Sequence, residues 1–391
     1  MSSGVFPVQG QIIWPGSCYW GAGALSRAMQ AARSRLHRPL VVSDAGVWAA
    51  LGPVVAEEFA ALDWQVYDGV VSNPSLGQVR EALRVAQAHG CQSVVAVGGG
   101  SVMDVAKLTL ACLASGLEVD ELTTSNGQAW LSEPASTLDP FFMAVPTTAG
   151  TGSESSTAAL IQGEDGRKHL FRSTRARPSV VALQPDLTLS LPSRPTAHGG
   201  FDAVLHALGA WVNQDHSPVG KAMALHALRI CMKALPAVLV APGSLQARAE
   251  MQMGAYLAGV AIGMCKVDAV HALCTPLESR VHTAHAEVLG PVFSVVSRHT
   301  IEKAPAPYAE AARALGLPSA GDERSAALSL IDAVEELSVQ AGIPIHFEDL
   351  HLTAEDAHLL ALQAQRSASL PLHPCELGLD EIKSLYLQMA S

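Results

Sequence analysis

Residues 93–107, SVVAVGGGSVMDVAK, decide the fold. A β-branched apolar run of strand length, Ser93–Val97, passes directly into Gly98-Gly99-Gly100-Ser101 and then, from Val102, into helical periodicity. That is the context in which backbone N–H groups and a helix N-terminus cradle a phosphate. Ser101, with Asp104 three residues on, reads as an N-cap followed by an acidic first turn. The run is not the G-x-G-x-x-G fingerprint, because counting from Gly98 puts Met103 in the last glycine slot. A tight strand-to-helix turn with no ligand is the plainer alternative. A second Gly/Thr-rich turn, PTTAGTGSE at 146–154, also follows an apolar run, 142–145. Two such turns at strand C-termini of one parallel sheet point to a shared crevice for a nucleotide.

The same alternation extends to both sides. Strands are expected at 39–43, 65–71, 93–97 and 142–145, interleaved with helices at 22–36, 54–62, 76–89 and 102–114. A hairpin, 158–162 with 168–172, and a last strand at 180–183 complete the half. From about Ser193 strand signals vanish and Ala/Leu-rich helices dominate, at 203–213, 220–235, 245–265, 331–341 and 354–368. The expected fold is an α/β domain with a parallel dinucleotide-binding sheet, residues 1–192, followed by an all-α domain, 193–391, with the boundary near 188–196, where PSRPT supplies two prolines.

Composition sets the outer limits. A chain of 391 residues, 49% hydrophobic and 16% charged, is a compact globular protein of two or three domains. A net charge of −11 with no block of like charges argues against nucleic acid as a partner. Seven scattered cysteines with no C-x-x-C pair suit a reducing compartment, and no secretory signal opens the chain, so a cytoplasmic location is expected. The greasiest run, Gly254–Cys265, is 12 residues long and reads as a buried helix rather than a membrane span.

Asp44 ends the strand PLVVS, where a carboxylate accepts hydrogen bonds from a ribose 2′-OH and repels a 2′-phosphate; this favours NAD over NADP, with an ordinary turn residue as the alternative. Asp202 and His206 are spaced i, i+4, so a helix projects both from one face, suited to gripping one cation. His271 opens HALCTPL, and His285 follows fourteen residues later in HTAHAE, with a helix break expected around Pro276. By themselves these four also fit a helix-surface hydrogen bond and core histidines.

In this order the segments resemble the iron-dependent (group III) alcohol dehydrogenase family, which shares its fold with dehydroquinate synthase and glycerol dehydrogenase. The matches are VVSD (41–44), SNPS (72–75), GGGSVMDVAK (98–107), PTTAGTGSE (146–154), Lys168, GFDAVLHAL (200–208), and VHALCTPL with HTAHAE (270–287). The resemblance implies one divalent metal, Fe²⁺ or Zn²⁺, on Asp202, His206, His271 and His285. It places the pyrophosphate of NAD(H) on Gly98, Gly99, Gly100 and Ser101, sets Thr147, Thr148 and Thr151 beside the cofactor, and gives Asn73, Asp104 and Lys168 dinucleotide contacts.

Two departures stand out. Where most members have Asn in the strand after the Thr-rich turn, this chain has Ala158, and where many have the second His of H-x-x-x-H, it has Thr275. Thr donates a hydrogen bond but does not titrate near neutral pH, so Thr275 and His282 become the candidates beside the reacting oxygen, with its proton coming from water, a ribose hydroxyl or a neighbour such as His282. HALCTPL resembles the phosphonoacetaldehyde reductase branch, and HAE the maleylacetate reductases. The expected activity is reversible NADH-dependent reduction of a small aldehyde to a primary alcohol in a homodimer; Arg280 and His282 read either as a preference for an anionic aldehyde or as solvent-facing loop residues. The rivals are a maleylacetate reductase, a dehydroquinate synthase-like lyase using NAD transiently, and a silent nucleotide-binding relative.

Overall fold

The structure is a computed structural model describing residues 14–124, 141–164, 166, 168–281, 283–318 and 321–390. Two compact units emerge. One runs to Pro192 and takes in Gly243–Gly259; the other holds Ser193–Pro242 and the chain from Val260.

The first unit contains β1 (Ser17–Trp20), α1 (Ala24–Ala32), β2 (Pro39–Val42), α2 (Ala45–Phe59), β3 (Gln65–Tyr67), α3 (Leu76–Ala88), β4 (Ser93–Gly98), α4 (Gly100–Ser115), α5 (Val119–Thr124), β5 (Phe141–Pro146), β6 (Ala158–Gln162), β7 (Lys168–Arg172) and β8 (Val180–Leu183). Six strands form a parallel sheet in the order β1-β8-β5-β4-β2-β3, and β6-β7 is a separate antiparallel hairpin. Both faces of the sheet are covered, which is why its central strands are apolar at every position rather than at alternate ones. Val41, Val95, Val97, Met143 and Val145 pack with α1 and α2 through Leu25, Met29, Val55 and Phe59. The opposite parity, Leu40, Val42, Val94, Ala96, Phe142 and Ala144, is equally inaccessible, and α4 packs on β4 and β5.

Local chemistry explains where the elements depart from expectation. The four-residue edge strand β1 carries no apolar alternation in SCYW and was not anticipated. Helix α2 begins at Ala45, well before the expected 54, and runs through Pro53. Asp44 nucleates it by accepting from Val47 N at 2.9 Å, and burial of Leu51, Val55 and Phe59 along one stripe compensates for the bond Pro53 cannot donate.

The second unit is helical: α6 (Ser193–Val212), α7 (Pro218–Val240), then, past the segment that belongs to the first unit, the end of α8 (Leu245–Cys265), α9 (Ala269–Val281), α10 (His285–Ile301), α11 (Ala306–Leu315), α12 (Glu323–Gln340), α13 (Ala354–Ala364) and α14 (Leu379–Met389). The division between the units falls inside PSRPT, after Pro192, and Ser193–Thr196 form the first turn of α6, where Pro195 forfeits an N–H that has no intrahelical partner anyway. The Lys221 ammonium closes the other end of α6, donating to Ala210 O at 2.9 Å and Trp211 O at 2.8 Å. Among the described residues α7 is long and apolar enough to cross a membrane by length and composition. Its Ala224, Ala227, Leu228, Cys231, Ala234, Leu235 and Val238 form a stripe buried on protein. The break expected around Pro276 does not occur: α9 continues through it, with Leu273, Cys274 and Leu277 fully buried around the proline, and ends at Val281.

In the first unit Gly152 has φ +63°, and a Cβ there would lie 2.4 Å from Gly259 Cα on α8. Gly152→Ala therefore combines left-handed strain with overpacking. It should cost about 2–4 kcal/mol, read as a lowered urea midpoint, while Gly316→Ala, which also has positive φ but nothing within 4 Å, should cost about 1 kcal/mol.

Candidate functional site

In the second unit three helices deliver four polar side chains to one point. Asp202 and His206 lie one turn apart on α6, His271 is in the first turn of α9, and His285 is the first residue of α10. Asp202 Oδ1 is 3.4 Å from His206 Nε2, 3.5 Å from His271 Nε2 and 3.8 Å from His285 Nε2. The His206 and His271 rings stack at 4.7 Å and 16°. Asp202, His206 and His271 are buried, which sets aside the helix-surface reading.

The donor set fits a divalent cation. Three imidazole nitrogens face one carboxylate oxygen at separations longer than a good hydrogen bond of about 2.7–3.2 Å, so their lone pairs and the anionic charge converge on a shared space. His271 Nδ1 is buried with no hydrogen-bond partner among the described residues, so the polar business of that ring lies on its Nε2 side. Burial by itself would raise the Asp202 pKa, but His206, His271 and His285 together hold it well below the usual carboxylate range. His285 is held well above the ordinary imidazole value: burial opposes its charge, while Cys274, Glu278 and Asp202 favour it.

In the first unit the two glycine-rich turns follow β4 and β5 beside a topological switch point. Val42 on β2 pairs with Ala96 on β4, yet α2 leaves β2 for one face of the sheet while α4 packs on the other, the arrangement in which open α/β sheets bind ligands at their strand C-termini. Gly98 pairs with Pro146, and Thr147 N donates to Gly98 O at 3.1 Å, so both turns meet at this edge. The N-cap of α4 is Gly99, without a side-chain cap, which corrects the reading of Ser101 as cap: Ser101 lies inside the first turn, and the helix start presents bare backbone donors. A Cβ at Gly100 would come 2.8 Å from Thr151 Cγ2, so the glycine lets the second turn close over the first. Thr147 is buried, and its Oγ1 has no partner among the described residues. This cradle fits an anionic cofactor group.

Comparison with known proteins identifies the family. Residues 15–185 match the family described as "Iron-containing alcohol dehydrogenase", and residues 196–390 match "Fe-containing alcohol dehydrogenase family, C-terminal". This chain belongs to the iron-containing alcohol dehydrogenase family. The chain is 28% identical over 381 residues to lactaldehyde reductase of Escherichia coli K12, covering 95% of this chain and 97% of that one. It is 32% identical to 4-hydroxybutyrate dehydrogenase of Cupriavidus necator, covering 86% and 87%. The solved sulfoacetaldehyde reductase of Bifidobacterium kashiwanohense, in complex with NAD⁺, superposes with a TM-score of 0.86 at 26% identity, covering 98% and 100%.

Within this alcohol dehydrogenase the remaining candidates are placed as follows. Asp44 Oδ1 caps α2. Asn73 takes φ +53°, exposed in its turn, and Lys168 opens β7, also exposed. Asp104 faces inward, accepting from Ser153 Oγ at 3.0 Å and Leu160 N at 3.1 Å. Thr275 Oγ1 donates to His271 O at 3.1 Å. Arg280 is exposed, 3.9 Å from Asp356. His282 lies outside the described residues.

Sequence reasoning passed over two groups. Glu278 Oε2 is 3.0 Å from His285 Nδ1; the i, i+3, i+7 stripe His271, Cys274, Glu278 was the available signal. Lys107 is fully buried, donating to Ser153 Oγ at 2.8 Å, Ser156 Oγ at 3.1 Å and Ala158 O at 2.6 Å. Its pKa is pushed down to about 8 by burial, against the pull of Asp104 and Glu154. Lys107 thereby ties the second turn and the hairpin to α4 in the first unit. Lys107→Met would leave Asp104 and Glu154 buried without their cation and should destabilise the protein by about 3–5 kcal/mol in denaturant titrations.

Proposed function

We propose that the chain is an NAD(H)-linked, metal-dependent oxidoreductase that interconverts a small aldehyde and its primary alcohol. The observation that carries this reading is the convergence of His206, His271 and His285 on the buried Asp202 carboxylate. The relatives' names support the substrate class, since lactaldehyde, sulfoacetaldehyde and 4-hydroxybutyrate are small and the last two are anionic.

When bound, the divalent ion supplies a Lewis acid for the substrate oxygen, and the nicotinamide supplies or accepts hydride. The chain's own residues do the positioning. Asp202 contributes the negative charge that lowers the cost of holding a cation, and the three imidazoles, which ligate in their neutral form, would complete the set without adding more charge, leaving the ion electrophilic. The α4 N-terminus offers uncapped N–H groups to the pyrophosphate, and Asp44 at the end of β2 favours an unphosphorylated ribose, hence NAD. Thr275 has its hydroxyl proton committed to the His271 carbonyl, and its alcohol does not ionise near neutral pH. It therefore shapes the wall beside His271 and is not the source of the proton taken up by the product.

Purified protein should contain one Fe²⁺ or Zn²⁺ per chain and oxidise NADH with small aldehydes in a screen spanning neutral and anionic members. Asp202→Ala should lose the metal and at least 10³-fold in kcat/KM, about 4 kcal/mol, while the far-UV spectrum stays unchanged. Thr275→Val should lower kcat by less than about tenfold, a barrier change under roughly 1.4 kcal/mol. Full NADH turnover by metal-free protein would remove the reading.

A further inference from the structure

Of the four residues on the metal centre, His285 has the least support from its own surroundings. Asp202 and His206 project from the middle of α6, and the His206 and His271 rings stack on each other. The His285 ring instead lies 6.0 Å from His271 and tilted by 43°, its side chain is 37% exposed, and it stands at the very start of α10, where Ala284 provides no side-chain cap. Some other group must fix its rotamer and tautomer.

Glu278 is placed to do so. It lies seven residues beyond His271 on the same stripe of α9, its side chain is 13% exposed, and its Oε2 is 3.0 Å from His285 Nδ1, while Nε2 of the same ring faces Asp202 Oδ1 at 3.8 Å. We propose that Glu278 is the positioning residue of the centre: by accepting the Nδ1–H of His285 it holds the imidazole in the tautomer whose Nε2 lone pair points at Asp202, and it raises the basicity of that nitrogen. A histidine ligand whose far nitrogen donates to a carboxylate is better oriented and a stronger donor than one left to solvent. Cys274, one turn earlier on the stripe, brings Sγ to 3.6 Å of the same Nδ1 and completes the wall against the ring. Helix α9 thus contributes one ligand, His271, and braces another, His285 at the start of α10, from a residue that lies beyond Pro276 in the same unbroken helix.

This inference rests on the metal-centre reading above, and titration with Co²⁺ alone separates the two. The full-length chain, stripped with chelator, is titrated as wild type, Glu278→Gln and Glu278→Leu, recording affinity, stoichiometry and the visible Co²⁺ absorption. The wild type should take up one Co²⁺ per chain. Glu278→Leu should bind about 10–100-fold more weakly with a shifted absorption band. Glu278→Gln, whose amide oxygen still accepts but without charge, should fall between them while the metal-free protein melts at the wild-type temperature. If Glu278→Leu lowers that melting temperature, the Glu278→Gln affinity decides: weaker binding supports the positioning role and unchanged binding overturns it. Wild-type affinity and spectrum in both variants would overturn it with the metal centre intact. A second Co²⁺ per wild-type chain that vanishes in Glu278→Leu would also overturn it, making Cys274, Glu278 and His285 a metal site of their own. No Co²⁺ uptake by the wild type would remove both readings.

Discussion

A carboxylate buried among three imidazoles is the constraint on which the helical unit is organised. Taking Asp202 out of water without compensation would cost several kcal/mol, and the compensation comes from His206, His271 and His285. Those three belong to three different helices, so the arrangement holds only if α6, α9 and the start of α10 keep their register. Lys221 on the carbonyl end of α6, the packing around Pro276 and the Glu278 contact to His285 each fix one of those registers. Stability and chemistry therefore draw on the same side chains, and a centre that is expensive to bury without its ion is one that selects for having it.

The α/β unit meets a different constraint, close approach of backbone. Gly100 admits Thr151, Gly152 admits Gly259, and the fully buried Lys107 stitches the Ser153–Ala158 segment to α4. The cost of that tight closure is a cluster of buried ionisable groups. Burial pushes the Asp104 carboxyl up to about 6 and Glu154 up to about 7, each moderated by Lys107. What the cluster provides is a rigid pair of turns at the switch point, with the α4 N-terminus left bare for an anion.

Much of this could be read from the residues. The strand–glycine–helix passage at 93–107 and the repeated turn at 146–154 carry the parallel sheet, because periodicity and glycine placement are local signals. The i, i+4 pair Asp202 and His206 is legible for the same reason. That His271 and His285 join them was available only from the family resemblance, since convergence across helices leaves no mark on spacing. The errors were also local: Pro276 read as a break because a proline's lost hydrogen bond is visible in sequence, whereas the burial that compensates for it is not, and the expected start of α2 falls nine residues late, at 54 instead of 45, for want of a visible periodicity before Pro53. Ser101 looked like a cap because its side chain suits one, but Gly99 holds that position. Glu278 and Lys107 went unnoticed because each is defined by a partner on another element.

The account stands on four side chains enclosing one ion, and the most direct measurement is anomalous scattering at the iron edge from a crystal of protein purified with Fe²⁺. The account predicts one peak per chain, bounded by Asp202 Oδ1 and the Nε2 atoms of His206, His271 and His285. A peak on the Cys274 and Glu278 side of the His285 ring, or no iron or zinc peak at all in crystals of catalytically active protein, would contradict it.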